Sequence, residues 1–223
     1  MNEFKRPTPI FHKNAAVFDQ LLTDIFGNIN GHFLGIGANI GNDWSFPLLE
    51  KQWTGIYCEP DPQACATLIQ NTEKYREQIT IVNSAVMGSS GLVPFYLSMN
   101  SSFLSSMRSD WMHQLLSVEY NKHWDKNPTQ VPIVTNAISF QDLINYTGPD
   151  FDLIVIDTEG SDSEIVTSID WSQFKKCQAV CLEHEFLKLD PHMEMIEQLY
   201  NQGSFVLTDQ SHSFALYRKM NNG

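Results

Sequence analysis

Short apolar runs of strand length recur along this chain and are separated by stretches with helical spacing. The runs occupy residues 33–36, 54–58, 79–82, 151–156 and 179–182. This alternation predicts an α/β fold in which a largely parallel sheet carries helices on both faces. The 223 residues suffice for one substantial core, and no linker or internal repeat divides them. We therefore predict a single Rossmann-like domain over residues 1–223.

Further elements are predicted outside and between these runs. An amphipathic helix is expected over residues 15–25, within an N-terminal segment of residues 1–30. Pro47 suits the first turn of a helix over residues 47–53. Near the C-terminus, residues 205–208 and 214–217 are rich in β-forming side chains and flank a polar stretch, which predicts an antiparallel hairpin. Such a hairpin is atypical of dinucleotide-dependent dehydrogenases.

Residues 98–130 interrupt the alternation of strands and helices. They are polar and aromatic, and they lie between the apolar segments 93–97 and 131–138, so the ends of the interruption should be close together. One interpretation is an insertion that acts as a lid over an acceptor, because long irregular insertions in compact domains are usually functional. The alternative is a helix packed on the domain through Trp111, Leu115 and Leu116, which have helical spacing.

Charge and composition narrow the range of partners. The formal net charge of −12 repels polyanions, so nucleic acid is a disfavoured substrate. The apolar runs are far shorter than the roughly 20 residues of a membrane-spanning helix, and no signal-peptide core follows the first residues. The four cysteines lack CxxC spacing, which favours buried reduced thiols over a zinc site. We expect a cytoplasmic protein with no membrane partner.

A glycine-rich turn follows the first apolar run and is the strongest indication of a ligand site. Glycine lets the backbone approach a ligand closely, and the N-terminus of a following helix favours an anionic group such as a carboxylate. A structural turn without a ligand would have a similar sequence. The predicted cofactor-binding residues of this segment are Gly35, Gly37, Ala38, Asn39 and Gly41.

The next two runs end in residues that suit a nucleoside. Glu59 follows the second run, where Rossmann-like folds place an acidic residue that accepts hydrogen bonds from ribose hydroxyls. Pro60 belongs to the same Glu-Pro-Asp-Pro segment, and Ser84 and Ala85 follow the third run as candidates for an adenine pocket. A dinucleotide fingerprint that began at Gly35 would need glycine at position 40, where this chain has isoleucine.

Three of these segments together resemble the FkbM family of methyltransferases. Residues 37–41 (Gly-Ala-Asn-Ile-Gly), Glu-Pro-Asp-Pro from Glu59, and residues 157–165 (Asp-Thr-Glu-Gly-Ser-Asp-Ser-Glu-Ile) are similar to that family's motifs. The resemblance implies a class I methyltransferase fold, whose seven-stranded sheet ends with an antiparallel strand. It also implies S-adenosylmethionine as the cofactor and methyl transfer, usually to oxygen. Gly35 departs from the family pattern, which commonly has an acidic residue there, and this puts a contact to the methionine end of the cofactor in doubt.

Acidic side chains after the later runs are the candidates for catalysis. Asp157 and Glu159 alternate at a strand end, so extended backbone would direct both side chains toward the cleft. They are suited to orienting an acceptor hydroxyl and taking its proton, or to holding Mg²⁺ through oxygen ligands. His184 follows the next run and is the candidate general base. Asp162 and Glu164 are interpreted as charges at a helix N-terminus.

The sequence leaves the acceptor and the class of activity open. A hydroxyl on a sugar, on a glycan or on another small molecule is the expected methyl acceptor. A nucleotide-dependent oxidoreductase on a related fold and a non-catalytic nucleoside-binding module are the alternatives.

Overall fold

A computed structural model describes residues 10–11, 18–27, 30–41, 45–99, 105–110, 129–183, 192–210 and 214–220 of the chain. The strands are β1 Ile10–Phe11, β2 His32–Ile36, β3 Thr54–Cys58, β4 Ile79–Val82, β5 Ala85–Met87, β6 Gly91–Ser98, β7 Gln130–Ser139, β8 Leu153–Ile156, β9 Ala179–Glu183, β10 Phe205–Gln210 and β11 Phe214–Lys219. The helices are α1 Phe18–Phe26, α2 Phe46–Glu50, α3 Pro62–Asn71, α4 Phe140–Thr147, α5 Asp162–Ser168 and α6 His192–Gly203.

The main sheet has the strand order β1-β10-β11-β9-β8-β2-β3-β4. The five strands β9, β8, β2, β3 and β4 are parallel to one another, whereas β11 is antiparallel to both β9 and β10. The prediction of a mostly parallel sheet with a closing antiparallel hairpin is therefore confirmed. Seven strands match the expected number, and the two-residue strand β1 extends the sheet by pairing with β10.

Helices cover both faces of the sheet, as predicted. Alternate side chains of each central strand point to opposite faces, so that Leu34 of β2 joins one buried cluster and Phe33 joins the other. The cluster that contains Leu34 also holds apolar residues of α4, α5 and α6, whereas the cluster that contains Phe33 holds residues of α1, α2 and α3. Residues of β2, β3, β8 and β9 are almost completely buried, which is why their sequences are continuous apolar runs.

A second, three-stranded sheet has the order β5-β7-β6 and lies outside the main one. Its long antiparallel pair, β6 and β7, is registered from Gly91 opposite Ala137 to Ser98 opposite Gln130. The expected closeness of the two ends of the interruption is thus confirmed. Residues 100–104 and 111–128, which include Trp111, Leu115 and Leu116, lie outside the described residues, so the choice between lid and packed helix stays a prediction.

Several element boundaries differ from their predicted positions for local reasons. The helix expected over residues 47–53 ends at Glu50, and Trp53 instead packs its ring edge-on against Phe26 at a centroid distance of 4.8 Å. The strand expected from residue 151 begins at Leu153, and the Phe151 ring stacks on His32 at a centroid distance of 5.0 Å. The helix expected over residues 15–25 is described from residue 18 and extends to residue 26.

Two further properties bear on the expected environment of the chain. All four cysteines, Cys58, Cys65, Cys177 and Cys181, are free and buried, as the sequence indicated. None of the helices formed by the described residues has the length and apolar character to span a bilayer.

Candidate active site

The carboxyl ends of the central parallel strands border a cleft. The cleft encloses about 870 Å³ free of protein atoms, part of it open to solvent. Residues that follow β2, β3, β4 and β8 line it, which is the usual ligand position in open α/β sheets. The lining residues are Ile36, Gly37, Asn39, Cys58, Glu59, Pro60, Ser84, Ala85, Val86, Phe95, Ser105, Met107, Asp157, Thr158, Glu159, Ser161 and Ile165.

The glycine turn after β2 adopts a conformation that requires glycine at position 37. Gly37 has φ of +81°, and a Cβ built on it would lie 1.7 Å from the carbonyl oxygen of Asp157. Any side chain would therefore separate the ends of β2 and β8. The backbone amides of Gly37 and Ala38 both donate to the carbonyl oxygen of Cys58, at 2.9 and 3.1 Å, and tie the turn to β3.

These hydrogen bonds correct one expectation about the turn. The sequence suggested that a helix N-terminus would face an anionic group here, but the amides of Gly37, Ala38, Asn39 and Gly41 all have acceptors within the protein. At Gly37 and Asn39, which line the cleft, the turn therefore lets a ligand come close to the backbone. The four amides are already bonded within the protein and do not form a binding site for an anion.

Three predicted cofactor residues do not line the cleft. Gly35 is buried within β2 between Tyr57 and Val155 of the neighbouring strands. Ala38 is fully buried in the core, and a Cβ at Gly41 would lie 2.6 Å from the side chain of Leu68. Their assignment as cofactor-binding residues stays a prediction.

Glu59 is held at the end of β3 by two backbone hydrogen bonds. Its Oε2 accepts from the amide of Asn39 and its Oε1 accepts from the amide of Asp61, both at 2.7 Å. The side chain of Asn83 donates to the Glu59 carbonyl oxygen, so the ends of β3 and β4 are also linked. Glu59 is only 5% exposed, and this burial raises its pKa to about 7, although the two amides lower it in part. Each carboxylate oxygen keeps a further acceptor position for a ligand hydroxyl.

Pro60, Ser84 and Ala85 lie where the sequence predicted them, along the cleft beside Glu59. Asp61 accepts from the amides of Gln63 and Ala64 and thereby caps α3, which fixes the segment that carries Pro60.

Asp157, Glu159 and Glu183 converge on the opposite side of the cleft. One carboxylate oxygen from each lies within 4.8 Å of the others. The sequence argument for Asp157 and Glu159 assumed extended backbone, but β8 ends at Ile156 and Glu159 has φ of +52°. A sharp turn, rather than strand alternation, therefore brings the two carboxylates together. His184 lies outside the described residues, so its assignment as general base stays a prediction.

Asp162 lies in the first turn of α5, as the sequence indicated, and it has a further role that the sequence did not show. It is buried, and its Oδ2 accepts from the Thr158 hydroxyl at 2.7 Å and from the Thr158 amide at 3.3 Å. Burial raises the pKa of Asp162 to about 6, against the hydrogen bonds that lower it. It therefore braces the turn that carries Asp157 and Glu159, while Glu164 is exposed, as expected for a charge at a helix N-terminus.

Sequence reasoning missed the part of the cleft formed by the second sheet. Phe95 of β6 and the neighbouring residues Ser105 and Met107 line the cleft, and Val86 of β5 joins them. The only signal in the sequence was the pair of apolar segments that flank the interruption. Nothing in those segments indicates that they lie across the ends of a different sheet.

Comparison with known proteins identifies one matching family. The model of the family described as "Methyltransferase FkbM domain" matches residues 35–206. No curated protein matches the chain. Solved structures similar to it include precorrin-6y C5,15-methyltransferase from Geobacter metallireducens GS-15, with 13% identity, a TM-score of 0.45, and coverage of 98% of this chain and 95% of that one. Another is magnesium protoporphyrin IX methyltransferase from Synechocystis PCC 6803 with bound SAM, with 9% identity, a TM-score of 0.48, and coverage of 92% and 77%.

Proposed function

The chain belongs to the FkbM methyltransferase domain family, and on that premise we propose that it transfers a methyl group from S-adenosylmethionine to a hydroxyl oxygen of a sugar or another small molecule. The observation that carries this proposal is the arrangement of the cleft. A buried carboxylate, Glu59, lies on one side of the Gly37 turn, and the carboxylates of Asp157, Glu159 and Glu183 lie on the other.

The order of the strands gives the direction of the cofactor along the cleft. Glu59 on β3 would accept hydrogen bonds from the ribose hydroxyls, and Ser84 and Ala85 after β4 would border the adenine. Since β2 lies between β3 and β8, the sulfonium would pass the Gly37 turn and present its methyl group toward Asp157. S-adenosylmethionine supplies the electrophilic methyl group when it is bound.

The acidic side of the cleft would then receive the acceptor. A carboxylate of Asp157 or Glu159 would accept a hydrogen bond from the acceptor hydroxyl and orient its oxygen toward the methyl group, and His184 is the proposed base for the proton. Because the donor is already electrophilic, holding the two reactants in line supplies much of the rate. The net charge of −12 is consistent with a small neutral acceptor and disfavours nucleic acid.

A hard divalent cation such as Mg²⁺ is compatible with the same residues. Asp157, Glu159 and Glu183 offer carboxylate oxygens, the ligand type that Mg²⁺ prefers, within 4.8 Å of one another. A cation held there would favour the ionised form of an acceptor hydroxyl. Activity that survives exhaustive treatment with EDTA would remove the cation from the mechanism.

The environment proposed for this reaction is the cytoplasm. Four buried free thiols suit a reducing compartment, in which disulfides are rare.

Methyl transfer is tested by incubating the protein with isotopically labelled S-adenosylmethionine and fractions of small metabolites and glycans. Mass spectrometry should find a labelled methyl group, and the NMR shift of that group should place it on oxygen. The Asp157→Asn protein should bind the donor but lose most turnover, whereas Glu164→Gln, at an exposed position on α5, should retain it. Labelling on nitrogen or carbon would overturn the hydroxyl acceptor. Donor binding without any labelled product would favour a nucleoside-binding module.

A further inference from the structure

The antiparallel pair β6 and β7 crosses the cleft from one side to the other; we call it the ribbon. At one end, Ala137 of β7 pairs with Ala85, the first residue of β5, which lies three residues past the end of β4. Further along, the Thr135 hydroxyl donates to the Pro60 carbonyl oxygen at 3.2 Å, just past the end of β3. The ribbon is therefore attached at the ends of two neighbouring strands of the main sheet.

A third attachment connects the ribbon, through Ser106, to the turn after β8 on the other side of the cleft. Tyr96 of β6 exchanges two backbone hydrogen bonds with Ser106, at 2.8 and 3.1 Å. The Ser106 hydroxyl in turn donates to the Glu159 carbonyl oxygen at 2.7 Å, in the turn after β8. In the main sheet β2 lies between β3 and β8, so the ribbon passes over the end of β2.

Phe95 is the aromatic residue of the ribbon that lies between these attachments. It pairs with Ile133, two residues from Thr135, and it directly precedes Tyr96. Strand alternation places Phe95 on the face opposite Leu92, and the exposures agree, since Phe95 is 3% exposed and lines the cleft while Leu92 is 74% exposed. The Phe95 ring thus closes the cleft on the side opposite the main sheet.

We infer that Phe95 is a cofactor-binding residue, whose ring packs on the nucleoside of the bound S-adenosylmethionine from the side opposite Glu59. This inference rests on the proposed function, because it uses the direction of the cofactor along the cleft. A ribosyl purine has an apolar ring face as well as ribose hydroxyls, and a cleft lined by both an aromatic ring and the Glu59 carboxylate suits both.

The contact should not depend on the charge of the ligand. Neither β6 nor β7 contains an Asp, Glu, Lys or Arg residue, so the ribbon contributes apolar contact without a charged side chain. S-adenosylmethionine and its product S-adenosylhomocysteine share the nucleoside and differ by the sulfonium methyl group. Loss of the Phe95 ring should therefore weaken both ligands by the same factor.

The test is calorimetric titration of the full chain with each of the two ligands. Phe95→Ala should weaken both about tenfold. Phe95→Leu should weaken both less, because it keeps an apolar side chain in the cleft. Leu92→Ala, on the outward face of the same strand, is the matched control and should bind like the wild type. Thermal melting of each variant verifies that the protein remains folded, and Phe95→Leu decides the matter if Phe95→Ala does not fold.

Wild-type affinity in both Phe95 variants would overturn the inference and leave the proposed function intact. Weakening confined to S-adenosylmethionine would place the ring at the sulfonium and overturn the nucleoside contact. Failure of the wild-type protein to bind either ligand would overturn the proposed function, and the role of Phe95 with it.

Discussion

Titration of the buried Glu59 carboxyl should make cofactor affinity depend on pH near neutrality. Burial raises the pKa of Glu59 to about 7 in the unliganded protein. Ribose hydroxyls donate to the ionised carboxylate, so binding favours the ionised form and lowers this pKa. Affinity should therefore increase as the pH rises through 7, and binding below pH 7 should release a proton.

The size of the effect follows from the ionised fraction. With a pKa of about 7, about one tenth of the unliganded protein is ionised at pH 6 and about nine tenths at pH 8. The apparent dissociation constant is the intrinsic constant divided by the competent fraction, so it should be about tenfold higher at pH 6 than at pH 8. Close to one proton should be released for each cofactor bound at pH 6.

The assay is calorimetric titration at pH 6, 7 and 8 in two buffers with different ionisation enthalpies. The α-amino group of S-adenosylmethionine itself titrates near pH 8, so 5′-methylthioadenosine, which lacks that group, is titrated in parallel. Glu59→Gln should bind more weakly and lose the pH dependence. Asp61→Asn, which alters the neighbouring carboxylate and keeps a residue suited to capping α3, is the control and should retain it.

Two results would refute this reasoning. A wild-type dissociation constant for 5′-methylthioadenosine that is equal at pH 6 and pH 8 would mean that Glu59 does not titrate on binding. A Glu59→Gln protein that is folded and binds with wild-type affinity would remove the ribose contact altogether.

Three further outcomes are expected. Gly37→Ala should destabilise the fold and abolish cofactor binding, because its Cβ would lie 1.7 Å from the carbonyl oxygen of Asp157. Gly148→Ala is the control: Gly148 has nearly the same φ and open space around it, so that only backbone strain of about 1–3 kcal/mol is expected in chemical denaturation. Asp157→Asn should reduce turnover far more than donor affinity, and equal losses of both would move Asp157 to the cofactor site. The pKa of Asp162 is raised to about 6, so its contribution to the free energy of unfolding is present below its ordinary pKa and is lost as the pH rises through 6. The Asp162→Asn protein still offers Thr158 an acceptor oxygen, and its melting temperature should vary less between pH 4.5 and 7 than that of the wild type. Equal variation in the two proteins would refute the raised pKa of Asp162.

The main sheet was predictable because strands that are buried on both faces have continuous apolar sequences. Strands such as β3 and β8 have almost no exposed side chain, so they are continuous apolar runs, and Glu59 is recognisable as the polar residue that ends one of them. The closing hairpin was predictable for a similar reason, since polar residues separate two β-rich segments.

The second sheet was not predictable to the same degree. Its strands were recognisable as apolar segments, but their path across the cleft depends on contacts distant in sequence, such as Thr135 with Pro60 and Ser106 with Glu159. The role of Phe95 depends on that path. The position of Asp162 at the start of a helix was predicted, but its burial and its hydrogen bonds to Thr158 were not, because the sequence does not distinguish an exposed carboxylate from a buried one at that position.

The central claim is that the cleft is a site for S-adenosylmethionine, and the most direct measurement is calorimetric titration of the full chain with S-adenosylmethionine and, separately, with NAD. We expect saturable binding of one S-adenosylmethionine per chain and no binding of NAD, since Ile40 stands where a dinucleotide fingerprint needs glycine. Binding of NAD in place of S-adenosylmethionine would indicate an oxidoreductase and contradict the account, as would the absence of binding to a folded chain.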